Sequence, residues 1–167
     1  MLFIALIILS ADIAPEPSIP PHPCPLADIM GARLEVDPAP EGNACRVEQG
    51  LRAAGWSDPW IAGALANAWH ESGWRSDAVG DSGHAVGFWQ LRDDGLGSGM
   101  GDLRFDPALS TDRIIRSARR QKLRTDKGDV RHAARQFCHL IMRPSDKVRK
   151  GEQRAETAAR LSADDSI

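Results

Sequence analysis

Trp69-His70-Glu71-Ser72-Gly73-Trp74, then Gly80-Asp81-Ser82-Gly83, then Gly87-Phe88-Trp89-Gln90 is the stretch on which the fold turns. Just upstream, Ser57 is placed to cap a helix with Pro59 in its first turn, and Ile61, Ala64, Leu65 and Ala68 recur at helical spacing. Glu71 therefore falls at the C-terminal end of an apolar helix that runs out at Ser72-Gly73. Downstream, eight glycines lie between Gly73 and Gly101, and Asp81-Ser82-Gly83 separates two short apolar stretches. That pattern predicts a small hairpin and irregular loops beside the helix. With helical periodicity on either side, the fold class is α+β, mostly α.

Working outward, Asn43 is a plausible N-cap for a preceding helix carrying Ala44, Val47, Leu51 and Ala54, with Gly55 placed to end it. After Asp106-Pro107, Ile114, Ile115, Ala118 and Leu123 predict another helix, and Val130, Ala133, Ala134, Phe137 and Ile141 one more. A last amphipathic helix is expected from Asp146 to Leu161 after the break at Arg143-Pro144. The compact unit is thus read as residues 43–162, with 163–167 as a tail. Six prolines between Pro15 and Pro25, and two more at Pro38 and Pro40, make residues 15–42 read as an extended, semi-rigid linker. Residues 1–14 open with an apolar run, Leu2 to Leu9, too short to span a membrane. They read as an export signal or a membrane-touching leader, which points to export to the cell envelope or attachment to a membrane or virion through residues 1–42.

The chain of 167 residues suffices for one domain and excludes a multidomain enzyme. Its net charge of −2 hides a gradient. Residues 43–103 are acidic, whereas residues 104–160 carry sixteen basic groups against seven acids. A basic half fits either a polyanionic partner such as a cell-wall polymer or a solvated arginine-rich face. It comes without aromatic platforms or a recognised motif for nucleic acid, so no nucleic-acid partner is expected. Of the three cysteines, Cys45 and Cys138 fall on predicted helices and Cys24 in the linker. Cys45–Cys138 is the pair that would join two helices, and two buried free thiols are the alternative.

Glu71 is the residue with the clearest chemistry. The helix dipole disfavours a carboxylate at this end, and Trp69 and Trp74 flank the position. Both features favour the neutral carboxyl, the state that a general acid for glycosidic cleavage requires. All five tryptophans lie between Trp56 and Trp89 while the chain has no tyrosine. Most are expected in the core, with Trp74 and Trp89 as the two that would stack on a sugar face. His70-Glu71 does not continue into a zinc-protease motif, because the second histidine that motif needs is Trp74. The remaining histidines and cysteines lack structural-zinc spacing, and neither a metal nor another cofactor is expected.

The ordered set Glu71-Ser72-Gly73, Gly80-Asp81, then Gly87 with Gln90 resembles the signature of the lysozyme-like superfamily. The likeness is to goose-type lysozymes and phage tail or virion lysozymes, with soluble lytic transglycosylases as relatives. It is strongest over residues 60–92, and the helices that follow, with Arg143-Pro144 before a final helix bearing Arg154, are similar to phage tail lysozymes. The resemblance implies cleavage of the β-1,4 bond between N-acetylmuramic acid and N-acetylglucosamine in peptidoglycan glycan strands. It implies Glu71 as the catalytic acid and Asp81 as the carboxylate that positions water. Gln90 and the backbone at Gly87 would form the saccharide wall, with Ser72, Trp74, His84, Trp89 and Asp93 as further substrate-side residues. Two departures stand out. Goose-type enzymes carry an aspartate two residues after that Gln, where this chain has Arg92 and then Asp93. Soluble transglycosylases carry a Tyr-Asn pair that has no counterpart here, which favours inverting hydrolysis over the water-free transglycosylase outcome. A catalytically silent, wall-binding virion component of the same fold is the other reading.

Overall fold

A computed structural model describes residues 23–142 and 144–162. The leader, the first part of the linker, Arg143 and the tail lie outside the described residues. Six helices and a small sheet follow in the order α1 (Pro25–Leu34), α2 (Pro38–Ala53), α3 (Asp58–Ser72), β1 (Val79–Gly80), β2 (Ala85–Val86), β3 (Leu91–Arg92), α4 (Pro107–Arg120), α5 (Val130–Phe137) and α6 (Lys147–Ser162). The strands form one antiparallel sheet in the order β1-β2-β3, with Val79 opposite Val86 and Ala85 opposite Arg92. This is the α+β, mostly helical architecture that the periodicities predict.

The middle helix, α3, forms the spine of the core. Every residue from Trp60 to Ala68 is buried, as expected for a helix surrounded on all sides rather than one with a single apolar stripe. Pro59 stands in its first turn as read from the sequence, Ser57 holds the N-cap position but its hydroxyl donates to Thr125 O rather than capping the turn, and Gly73 closes the helix in the left-handed conformation at φ 61°. Its closest neighbour is α5. A Cβ added at Gly63 would lie 2.7 Å from the backbone nitrogen of Ala134, so only glycine lets the two helices approach this closely. Asn67, fully buried one turn later, rivets them: its Nδ2 donates to Gly63 O at 2.7 Å and to Ala134 O at 3.1 Å. Both α4 and α5 are capped by aspartates. Asp106 accepts from the amides of Ala108 and Leu109, and Asp129 accepts from that of His132, each worth about 1 kcal/mol.

Two sequence expectations are corrected at the N-terminal side. Residues 25–42, read as part of an extended linker, are largely helical. Pro25 and Pro38 each stand in the first turn of a helix, where the missing amide proton is not needed. Proline density here marks two helix starts, and α2 begins at Pro38 rather than after Asn43. The second correction concerns the cysteines. Cys24 bonds to Cys45, and Cys138 is a buried free thiol. Cys45 thus pairs with a residue assigned to the linker, not with Cys138. The same junction carries a charge contact. Glu48 on α2 is fully buried, and its carboxylate accepts from the Ala27 amide at 2.7 Å and from Arg52 Nε at 2.8 Å. An anion against the exposed amides of an N-terminal turn offsets their lost hydration. Ala27 and Met30 then seat α1 against the core.

After α5 the chain runs through a single wide turn, Cys138–Met142, whose Cys138 and Ile141 are buried. No helix among the described residues is long and apolar enough to cross a membrane.

Candidate active site

Glu71 comes to the surface at the end of α3, where the helix leaves the core. Ser72 follows, and its hydroxyl donates to Phe88 O at 2.7 Å and to Ala68 O at 3.3 Å. That bond ties the helix end to the loop between β2 and β3, so the sheet sits beside Glu71. Gln90 stiffens this loop. Its Nε2 donates to Ala78 O and Gly87 O, both at 3.1 Å, and a Cβ at Gly80 would meet its Oε1. Gly87 has φ 78°, and a Cβ there would lie 2.1 Å from Arg104 O. Its glycine serves a close backbone crossing.

Between the sheet and the segment that leads from α5 to α6 lies a cleft of about 1030 Å³. Glu71 contributes from α3, and Asp81 from the turn after β1, so the two carboxylates open on the same space. Trp89, Gln90 and Arg92 line the sheet side, Leu140, Ile141, Met142 and Pro144 the opposite side, and Arg120 and Lys150 add positive charge. The cleft combines an apolar wall, a polar hairpin, two acids and several cations, a composition suited to a polar chain with ring faces and acidic groups.

Of the nine residues singled out from the sequence, the structure brings Glu71, Asp81, Trp89 and Gln90 to this cleft. Ser72 and Gly87 instead fasten its walls. Trp74 lies fully buried in the core, its indole N–H donating to Leu65 O at 2.8 Å. Of the two indoles expected to shield Glu71, Trp74 is therefore in the core. Trp69 and Trp74 pack edge-on against each other at 5.7 Å, and the hydrogen-bonding partner of Glu71 Oε1 is Arg154 Nη2. Trp89, although it adjoins the cleft, is also fully buried, with its N–H held by Thr111 Oγ1 at 2.9 Å, so neither Trp74 nor Trp89 offers the open ring face expected for stacking on a sugar. His84 and Asp93 pair with each other at 3.2 Å on an exposed edge outside the cleft. His84 draws the Asp93 carboxyl below the usual carboxylate range.

Two arginines decide the electrostatics. Arg92, which occupies the position where goose-type enzymes have an acid, forms an ion pair with Asp81 and holds Asp94 through Nε at 2.8 Å. Asp81 itself sits in left-handed backbone at φ 49°, a conformation that aspartate tolerates better than most residues. Arg154, from α6, is the cation at Glu71. Its side chain is 5% exposed against 22% for Glu71, so the pair is screened from bulk water. Burial together with the Arg154 charge pushes the neighbouring His70 imidazole below its ordinary value. Burial raises the Cys138 thiol, which keeps it protonated.

Sequence reasoning missed Arg154 as a site residue, although a signal was present. Gly151, Arg154, Ala155, Ala158 and Leu161 are the buried residues of α6. A lone arginine among small apolar residues on the inward stripe of a helix must have a buried partner.

The domain presents one glutamate, at the end of a buried central helix, to a cleft walled by a small antiparallel sheet, an arrangement consistent with the lysozyme-like resemblance of the motif order. In agreement, the family model for phage tail lysozyme matches residues 42–103, the segment that carries Glu71, Asp81 and Gln90. No curated protein and no solved structure matches the chain. The family match supports a lysozyme-like, peptidoglycan-degrading role in general.

Proposed function

We propose that the protein is a muramidase that cleaves the β-1,4 bond between N-acetylmuramic acid and N-acetylglucosamine. The observation that carries this reading is the opening of Glu71 and Asp81 on one cleft from two different elements. Glu71 acts as the general acid, its Oε2 delivering a proton to the departing glycosidic oxygen while Oε1 accepts from Arg154. Asp81 orients a water on the opposite face of the sugar, which inverts the anomeric centre. The apolar wall at Leu140, Ile141 and Met142 supports the sugar faces, while Arg120 and Lys150 attract the acidic groups of the wall. Attachment to a membrane or virion is a role left to residues 1–22, because α1 and α2 belong to the folded domain.

Glu71→Gln tests the acid directly. The variant is expected to lose lysis of purified cell walls while still sedimenting with them. Full lysis by Glu71→Gln would overturn the assignment, and a native protein that binds walls without cutting them would identify the silent, wall-binding component. A second reading has one observation in its favour. The ion pair of Asp81 with Arg92 occupies the water-positioning carboxylate, which suits the water-free transglycosylase reaction. Mass spectrometry of the released muropeptides separates the two, since hydrolysis leaves reducing ends and transglycosylation leaves anhydro ends lighter by one water.

A further inference from the structure

Both terminal nitrogens of the Arg154 guanidinium are held, by groups from α3 and from the turn that follows α5. Nη1 donates to Asn67 Oδ1 on α3 and to Cys138 Sγ after α5, each at 3.1 Å, and Nη2 pairs with Glu71 Oε1. Asn67 has no freedom to turn. Its amide nitrogen already donates to Gly63 O and Ala134 O, so its oxygen must face the arginine. The α3–α5 crossing at Gly63 therefore fixes Asn67, Asn67 fixes Arg154, and Arg154 fixes one oxygen of Glu71. Among the described residues Oε2 has no hydrogen-bond partner, and Glu71 lines the cleft.

A buried ion pair is a poor stabilising device, because a hydrophobic side chain of similar length often does as well. Its advantage is orientation, since a guanidinium fork holds a carboxylate in one plane. We propose that Arg154 is a positioning residue for Glu71: it anchors Oε1 so that Oε2 alone is presented to the glycosidic oxygen. This rests on the assignment of Glu71 as the acid. Arg154 touches no substrate. Without the anchor the carboxyl is free to rotate about its last two bonds, and the reacting distance is lost in most of its orientations. A misplacement of about 1 Å at a reacting group is sufficient to lower a rate by about a hundredfold.

The experiment compares Arg154→Lys and Arg154→Met with the unaltered full-length chain, recording kcat and KM on peptidoglycan together with thermal melting. Arg154→Met, which keeps length and removes the charge, is expected to lower kcat by about a hundredfold with KM within about threefold. Arg154→Lys retains the cation but not the fork, and should recover part of the lost kcat. A folded Arg154→Met with kcat within about threefold of the native value overturns the proposal. So does a kcat loss no larger than the loss of folded protein, the signature of a purely structural role. Should Arg154→Met fail to fold, Arg154→Lys decides: native kcat in a folded Arg154→Lys is equally fatal, and a reduced kcat at unchanged KM supports the anchor. Glu71→Gln run alongside separates this failure from that of the acid assignment. A dead Glu71→Gln beside a fully active Arg154→Met sinks the anchor alone, and an active Glu71→Gln sinks the acid.

Discussion

Reducing the Cys24–Cys45 bond, or replacing Cys24 by serine, releases a loop closed over 21 residues of sequence separation. Loop-closure entropy for that length corresponds to about 3 kcal/mol at 25 °C. For a domain of this size each kcal/mol moves the melting temperature by about 3 °C, so a fall of about 10 °C is expected. The folded state itself should change little. Ala27 and Met30 still bury against the core, and Glu48 still accepts from the Ala27 amide at 2.7 Å, so α1 stays docked when the crosslink is cut. Circular dichroism melts with and without reductant, repeated on Cys24→Ser, measure the shift. Thiol titration under denaturing conditions should find one free cysteine in the oxidised chain and three after reduction. Equal melting of the oxidised and reduced forms would refute the energetic argument, and peptide mapping that joins Cys45 to Cys138 would refute the pairing.

Gly63→Ala places a methyl 2.7 Å from Ala134 N, and forcing α3 and α5 apart should cost about 1–3 kcal/mol, readable by urea denaturation. Because the same crossing positions Asn67, wall lysis by that variant should fall further than its stability alone explains. Glu71→Ala leaves the 5%-exposed Arg154 without its anion and should destabilise by about 3 kcal/mol or more, whereas Glu71→Gln retains an acceptor and should lose clearly less. A pH series tests His70, whose folded pKa is lowered from 6.5 by burial and by Arg154. The unfolded chain then binds the proton more readily, so stability is full above pH 6.5 and is lost as pH falls from there through the folded pKa. His70→Gln should flatten that part of the melting-temperature profile, and an unchanged slope would count against the shift.

The parts of the fold legible in the sequence are those with local causes. Pro59 and Gly73 bound α3 as read, because a proline in the first turn and left-handed closure depend on a few neighbouring residues, whereas Ser57 holds the N-cap position but donates its hydroxyl to Thr125 O at 3.1 Å. The hairpin was signalled by Asp81-Ser82-Gly83, and the structure places these three residues in the turn between β1 and β2. The linker reading failed because a proline at a helix start and a proline in an extended tether look alike one residue at a time. What separates them is long-range: Cys24 reaching Cys45, and Glu48 waiting for the amides of α1. The site divides in the same way. Glu71 and Asp81 follow from the order of motifs, and both line the cleft. Arg154 is 83 residues from Glu71 along the chain, and the packing of α6 against α3 and α5 brings them together. Trp74 shows the opposite error, since an aromatic beside a candidate acid in sequence is turned into the core by the left-handed bend after α3, where its N–H finds Leu65 O.

The covalent link at Cys24 lies immediately before α1 and joins it to the middle of α2. A pull applied to the chain upstream of residue 24 passes through sulfur into α2 and bypasses the whole of α1. The first helix is thereby isolated from mechanical load and cannot be peeled away turn by turn. Tension from that side enters the domain through the middle of α2, and resisting it requires α2 to shear from its neighbours as a unit.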